Sequence, residues 1–214
     1  MGLYTTKHTD SGASIYLWEI TETEDELRQL CNPIPNDEQE ELMLLKSESR
    51  RKEKLAVRAL LNEIFPEKVY LGHHDNGQPF IPNSLVQISI SHTHRFVAII
   101  THPELDLGID IECLRRDFSA VEKKVLSEDE IDDLSDSKKE HDFQLAIYWC
   151  AKEAIYKRMA QSGVDFAEQI ELDRFKPRGS GELEAVFIHK DGEEEEFELE
   201  YELIDDHILV WLVG

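Results

Sequence analysis

Ile88–Glu112, ISISHTHRFVAIITHPELDLGIDIE, reads as three short strands in succession. Leu85–Ser91 alternates apolar and small polar residues, Phe96–Ile100 is a compact apolar run, and Leu107–Glu112 alternates again. On the third strand the period of two puts Ile109 and Ile111 on one face and Asp110 and Glu112 on the other. Neighbouring carboxylates repel each other unless a cation or a proton sits between them. With oxygen ligands alone the favoured cation is Mg²⁺, with Mn²⁺ the alternative, and substrate phosphates complete such shells.

The strand stretch needs one later segment, Trp149–Lys157, WCAKEAIYK, which reads as an amphipathic helix. By i, i+3 and i+4 spacing Trp149, Lys152, Glu153, Tyr156 and Lys157 share one face, and Ala151, Ala154 and Ile155 are suited to packing. Glu153 offers a third carboxylate, Lys157 a cation for a phosphate oxygen, and His92 a side chain at the turn after its strand. Each has a plainer reading: a solvated strand face, a turn histidine, or a Glu153–Lys157 helix pair worth a few tenths of a kcal/mol. A zinc reading of His92, His94 and His102 fails because a whole apolar strand separates His102 from the others and no cysteine is placed to help.

In order and spacing, SISH, GIDIE and WCAKEAIYK together resemble the 4′-phosphopantetheinyl transferases of the longer, two-lobed Sfp type, over about Arg50–Lys157. The resemblance implies an α+β fold of two similar lobes, each a helix packed on a mainly antiparallel sheet, with the active site in the cleft between them. The expected lobes are residues 1–103 and 104–214, arranged as a monomer with an internal pseudo-two-fold. It further implies transfer of 4′-phosphopantetheine from coenzyme A to a serine of an apo acyl or peptidyl carrier protein. Asp110, Glu112 and Glu153 would hold the metal, Glu153 would act as base, and Lys157 and His92 would face the pyrophosphate. Ser91, Gln78, Arg50, Arg51 and Lys54 would contact coenzyme A. The family commonly has G-K-P where this chain has Gly77-Gln78-Pro79, so position 78 brings no charge. The alternative is a Mg²⁺-dependent phosphohydrolase with water as nucleophile; a non-catalytic acidic binding protein would leave the three motifs to coincidence.

Composition narrows the partners. The 214 residues include 46 acidic and 23 basic ones, a formal net charge of −23, which argues against nucleic acid and anionic membranes as ligands. Coenzyme A and carrier proteins are acidic too, so the attraction must be local. From Lys46 to Arg58 six basic residues face two acids, a local +4, with Arg51, Lys54 and Arg58 on one stripe. Arg51 is the expected contact for the 3′-phosphate. The three cysteines are far apart and in no C-x-x-C pattern, which predicts a reduced, cytoplasmic setting. No apolar run is long enough to span a membrane, and MGLYTTKH has no signal-peptide core.

Along the rest of the chain, Ser14–Ile20 reads as an edge strand and Thr21–Leu30 as a short acidic helix. Asn36 with Gln39 reads as a capping box opening a helical region towards Phe65, broken once in its charged middle. Val57, Leu60, Leu61 and Ile64 make its expected core stripe. Asn76-Gly77 is a turn, Ser127 with Glu130 a second capping box, and Gly163 the residue that ends the motif helix. The last quarter reads as strands joined at Asp191-Gly192 and Asp205-Asp206.

Overall fold

Every strand pairing is antiparallel among the residues described by the computed structural model, which are 2–65, 67 and 69–214, with the side chains of 120, 121 and 123 outside that description. The chain divides into two compact units, Met1–Glu104 and Leu105–Gly214, and each is α+β, with one long helix on an antiparallel sheet.

The first unit contains β1 (Leu3–His8), β2 (Ser14–Glu19), α1 (Glu24–Leu30), α2 (Asn36–Leu44), α3 (Glu48–Ile64), β3 (Gly72–His73), β4 (Pro79–Phe80), β5 (Gln87–His92) and β6 (Phe96–His102). Its main sheet has the order β1-β2-β6-β5. Thus β2 is an inner strand, not the edge expected for Ser14–Ile20. The edge is β1, LYTTKH, which is exposed over most of its length and so carries no apolar alternation to announce it.

The break in the helical region falls at 45–47, between α2 and α3. The capping box expected at Asn36 does not form. Pro35 holds the cap position without a side-chain hydrogen bond, and Gln39 donates instead to the Ile34 carbonyl at 2.8 Å. A true box lies at Thr23, whose hydroxyl takes the Glu26 amide while Glu26 returns to the Thr23 amide. On α3 the buried apolar set is Leu55, Ala56, Ala59, Leu60 and Leu61, whereas Val57 and Ile64 are only partly covered. The buried face is turned from the expected stripe because α1 packs on α3 as well as the sheet does, with the Cys31 thiol donating to the Leu55 carbonyl.

The second unit contains β7 (Leu107–Cys113), α4 (Ser119–Val125), α5 (Glu128–Asp132), α6 (Lys138–Met159), α7 (Phe166–Gln169), β8 (Ile170–Leu172), β9 (Ser180–Ile188), β10 (Glu194–Ile204) and β11 (His207–Val213), with sheet order β7-β11-β10-β9-β8. Ser127 and Glu130 form the expected capping box. Gly192 at φ +87° and Asp205 at φ +54° make the two expected turns. The motif helix, however, ends at Met159 on Ala160, which takes the left-handed conformation itself at φ +52°, so Gly163 belongs to the following turn. The core of this unit lies between α6 and the sheet, with Ala146, Cys150, Ala151, Ala154 and Ile155 against Ile208, Val210 and Leu212. None of the described helices is long and apolar enough to cross a membrane.

Candidate active site

Gly108 sets the site of the second unit. A Cβ there would lie 1.9 Å from the Ala154 carbonyl oxygen, so only glycine lets β7 and α6 approach this closely. The register of β7 on β11 sets Gly108, Asp110 and Glu112 opposite Leu212, Val210 and Ile208, the residues that pack against α6. Asp110 and Glu112 therefore lie on the helix side of the sheet, where α6 presents Trp149, Glu153 and Lys157.

Asp110 is 5% exposed. Its Oδ1 accepts from Lys157 Nζ at 2.7 Å, and the same ammonium donates to the Ile109 carbonyl at 2.9 Å. Lys157 is thus paired across to β7 and not to Glu153 one turn back. Among the described residues no cation pairs with Glu153. Glu112 accepts from Trp149 Nε1 at 3.1 Å and forms an ion pair with Arg116, whose guanidinium lies over the Trp149 ring at 4.9 Å. Three carboxylates thus face two cations. Burial, followed by the Asp110 charge, raises the Glu112 pKa and pushes that of Glu153 up to about 7. In donor chemistry alone, an all-oxygen set whose ionised form is held back by burial and mutual repulsion suits a hard divalent cation such as Mg²⁺. Arg116, in the unremarked CLRRDF, is the residue that sequence reasoning missed; its guanidinium-on-indole stacking has no short-range signal.

Lys152 does not share this face. It is fully buried, donating to Glu130 Oε2 at 2.6 Å and to the Val125 and Phe166 carbonyls at 2.8 and 2.9 Å. Burial lowers its pKa, against the opposing effect of Glu130. One buried ammonium therefore ties α4, α5 and α7 to α6.

The expected coenzyme A contacts lie in the first unit, around a cavity of about 460 Å³. Arg50, Lys54 and His92 line it, as do Gly77 and Pro79 on either side of Gln78. The turn places Gly77 at φ +88°, and the Gln78 amide is held by Asn76 Oδ1. His92 Nδ1 lies 3.3 Å from Glu53 Oε2, and Glu53, 5% exposed, also accepts from Ser49 and Arg50. Glu53, the acid inside the basic island, is the second residue missed. Ser91 is buried opposite Ala98 on β6. Arg51 is not among the lining residues. Its Nε donates to Glu24 Oε2 at 2.8 Å and its Nη1 to the Leu45 carbonyl at 2.8 Å. Lys54 pairs with Glu41, and Arg58, 4% exposed, with Glu38. His102, once a conceivable zinc ligand, hydrogen-bonds Ser11 O and the Glu104 amide.

Residues 106–210 match the family model of the 4′-phosphopantetheinyl transferase superfamily. Comparison with curated proteins gives no match. The matched span takes in Asp110, Glu112, Glu153 and Lys157, and supports phosphopantetheinyl transfer in general, a chemistry for which coenzyme A is the substrate and carrier proteins the acceptors.

Proposed function

We propose that this chain transfers 4′-phosphopantetheine from coenzyme A to a serine hydroxyl of an apo acyl or peptidyl carrier protein, as a cytoplasmic monomer of the longer, two-lobed Sfp type. The observation that carries the reading is the coincidence of the family match with the half-buried cluster of Asp110, Glu112, Glu153 and Lys157. Asp110, Glu112 and Glu153 would hold Mg²⁺, or Mn²⁺ in its place. When bound, the ion supplies neutralising charge to the pyrophosphate oxygens.

The remaining chemistry falls to the protein's own groups. Glu153 takes the proton of the serine hydroxyl. The serine oxygen bonds to the phosphorus that carries pantetheine, the bond from that phosphorus to the bridging oxygen breaks, and adenosine 3′,5′-bisphosphate leaves with the electron pair. Lys157 holds charge on a phosphate oxygen, a role that depends on the fixed position its bonds to Asp110 and the Ile109 carbonyl provide. His92, oriented by Glu53, has the same role, with Ser91 and Gln78 as hydrogen-bonding partners of coenzyme A. Arg50 and Lys54 are the cations for the nucleotide phosphates, with Glu41 giving up Lys54 as the ligand enters. Arg51 braces this wall by tying α3 to Glu24 and Leu45.

The test is the intact mass of an apo carrier protein after incubation with the enzyme, coenzyme A and Mg²⁺. A gain of one phosphopantetheine per carrier, matched by released adenosine 3′,5′-bisphosphate, is the expected result. Breakdown of coenzyme A at the same rate without any carrier would establish the phosphohydrolase instead.

A further inference from the structure

On the face of β7 opposite Asp110 and Glu112, the strand ends in Cys113, whose register partner on β11 is His207. Asp206 precedes His207 in the turn from β10. One ligand atom from each of Cys113, Asp206 and His207 lies within 4.8 Å of the other two. We propose that these three side chains form a second metal site, for a borderline cation of the Zn²⁺ class, separate from the carboxylate cluster on the helix side of the same strand.

The donor chemistry distinguishes the two sites. Asp110, Glu112 and Glu153 offer oxygen only, the choice of Mg²⁺. Cys113, Asp206 and His207 offer one sulfur, one nitrogen and one oxygen, a set suited to Zn²⁺ with a fourth position left open. The spacing also fits. Metal–ligand distances of about 2.0–2.3 Å in a tetrahedron place ligand atoms roughly 3.3–3.6 Å apart. One Asp206 oxygen, Oδ1, lies 2.9 Å from His207 Nδ1 and the other, Oδ2, 4.0 Å from Cys113 Sγ, so the carboxylate stands between the other two donors, and one ligand atom from each residue lies within 4.8 Å of the rest. The backbone holds the ligands ready. The Leu114 amide donates to the Asp206 carbonyl at 2.8 Å, and the β7–β11 ladder fixes Cys113 beside His207. A thiolate and a carboxylate together neutralise the two charges of the ion. Arg115 pairs with Asp206 Oδ2 at 2.8 Å, but its side chain is 82% exposed and free to swing into water when a cation arrives.

The competing account is that Asp206, His207 and Arg115 only pin the turn. Cobalt separates the two accounts. The full chain, reduced and stripped with a chelator, is titrated with Co²⁺ and followed by absorption. A thiolate ligand gives a sulfur-to-cobalt charge-transfer band in the near ultraviolet, which the oxygen-only cluster cannot give. We expect that band in the wild type, its displacement by Zn²⁺ but not by Mg²⁺, and its loss in Cys113→Ser. Zn²⁺ affinity should fall at least tenfold in Cys113→Ser and in Asp206→Asn. Both positions are only partly buried, so the test does not depend on His207→Asn, which removes a fully buried ring, folding. A wild-type cobalt spectrum without the band, or a band that survives Cys113→Ser, overturns the site.

Discussion

On α3, Arg51, Lys54 and Arg58 each meet an acid from elsewhere in the first unit, Glu24, Glu41 and Glu38. In the second unit, Asp110, Glu112 and Glu153 share two cations, Lys157 and Arg116. In sequence the first is a local excess of one charge, whereas the carboxylates of the second are divided between Asp110 and Glu112 on one strand and Glu153 far along the chain. Among the described residues, folding gives each of these cations of the first cluster an acid and leaves the second one carboxylate over. A run of like charge therefore says little until its partners are known, and those partners lie 13 to 27 residues away for the α3 stripe. The surplus that survives folding is the better guide to where a cation would bind.

If that surplus is the site, the largest effect belongs to it. Asp110→Ala or Glu153→Gln should cost phosphopantetheinyl transfer about 10³-fold or more, measured by carrier mass, with the fold retained by circular dichroism. Lys157→Ala should cost roughly 10²-fold, the scale of losing one preorganised donor. Full activity in any of the three would remove that residue from the site and the distinction between the clusters with it.

The buried pair Lys152–Glu130 is the counter-case within the second unit, a charge that folding does balance completely. Lys152→Met strands Glu130 in the core, and breaking such a pair typically costs about 3–5 kcal/mol. Urea unfolding of the variant measures it. A loss under about 1 kcal/mol would mean that the amides of Ser127 and Leu172, which also donate to Glu130, hold it unaided.

These contrasts also mark how far the sequence could be read. Period-two alternation in GIDIE placed Asp110 and Glu112 on one face, and helical spacing placed Glu153 and Lys157 on theirs, because both signals are local. Lys152 was misplaced by the same helical spacing. It lies on the border of the stripe, and only the approach of Val125, Glu130 and Phe166 decides that it is buried. Arg116 and Glu53 were overlooked because what they do depends on residues 33 and 39 positions away, Trp149 and His92. The exposed edge strand β1 escaped because neither of its faces is apolar.

A third test reads the surplus directly in metal-free buffer. Glu153 has its pKa raised from 4.5 to about 7, so between those values the folded state holds a proton that the unfolded state has released. Stability should therefore fall as pH rises from 4.5 to 7 and level off above, by at most about 3 kcal/mol. Glu153→Gln should lack this slope and be the more stable protein at pH 8. Mg²⁺ should then recover stability for the wild type and much less for the variant. Parallel melting curves across that pH range would show instead that neither burial nor the neighbouring carboxylates hold back the ionised form of Glu153.

The smallest effect expected is on the balanced side. Lys54 and Arg50 line the cavity of the first unit, whereas Arg51 is held by Glu24 and the Leu45 carbonyl. A charged hydrogen bond to phosphate is worth roughly 1.5–3 kcal/mol, and freeing Lys54 from Glu41 takes part of that back. The preference for coenzyme A over its 3′-dephospho form should therefore be about tenfold. Lys54→Ala should abolish most of it while binding of the dephospho form barely changes. Arg51→Ala should keep the preference and show its loss as a lower melting temperature. Both ligands must be compared at one ionic strength, because screening alone erodes contacts this exposed. If Arg51→Ala loses the preference and Lys54→Ala keeps it, the ligand has exchanged partners with Glu24, and the pair-by-pair balance of α3 describes only the unliganded protein.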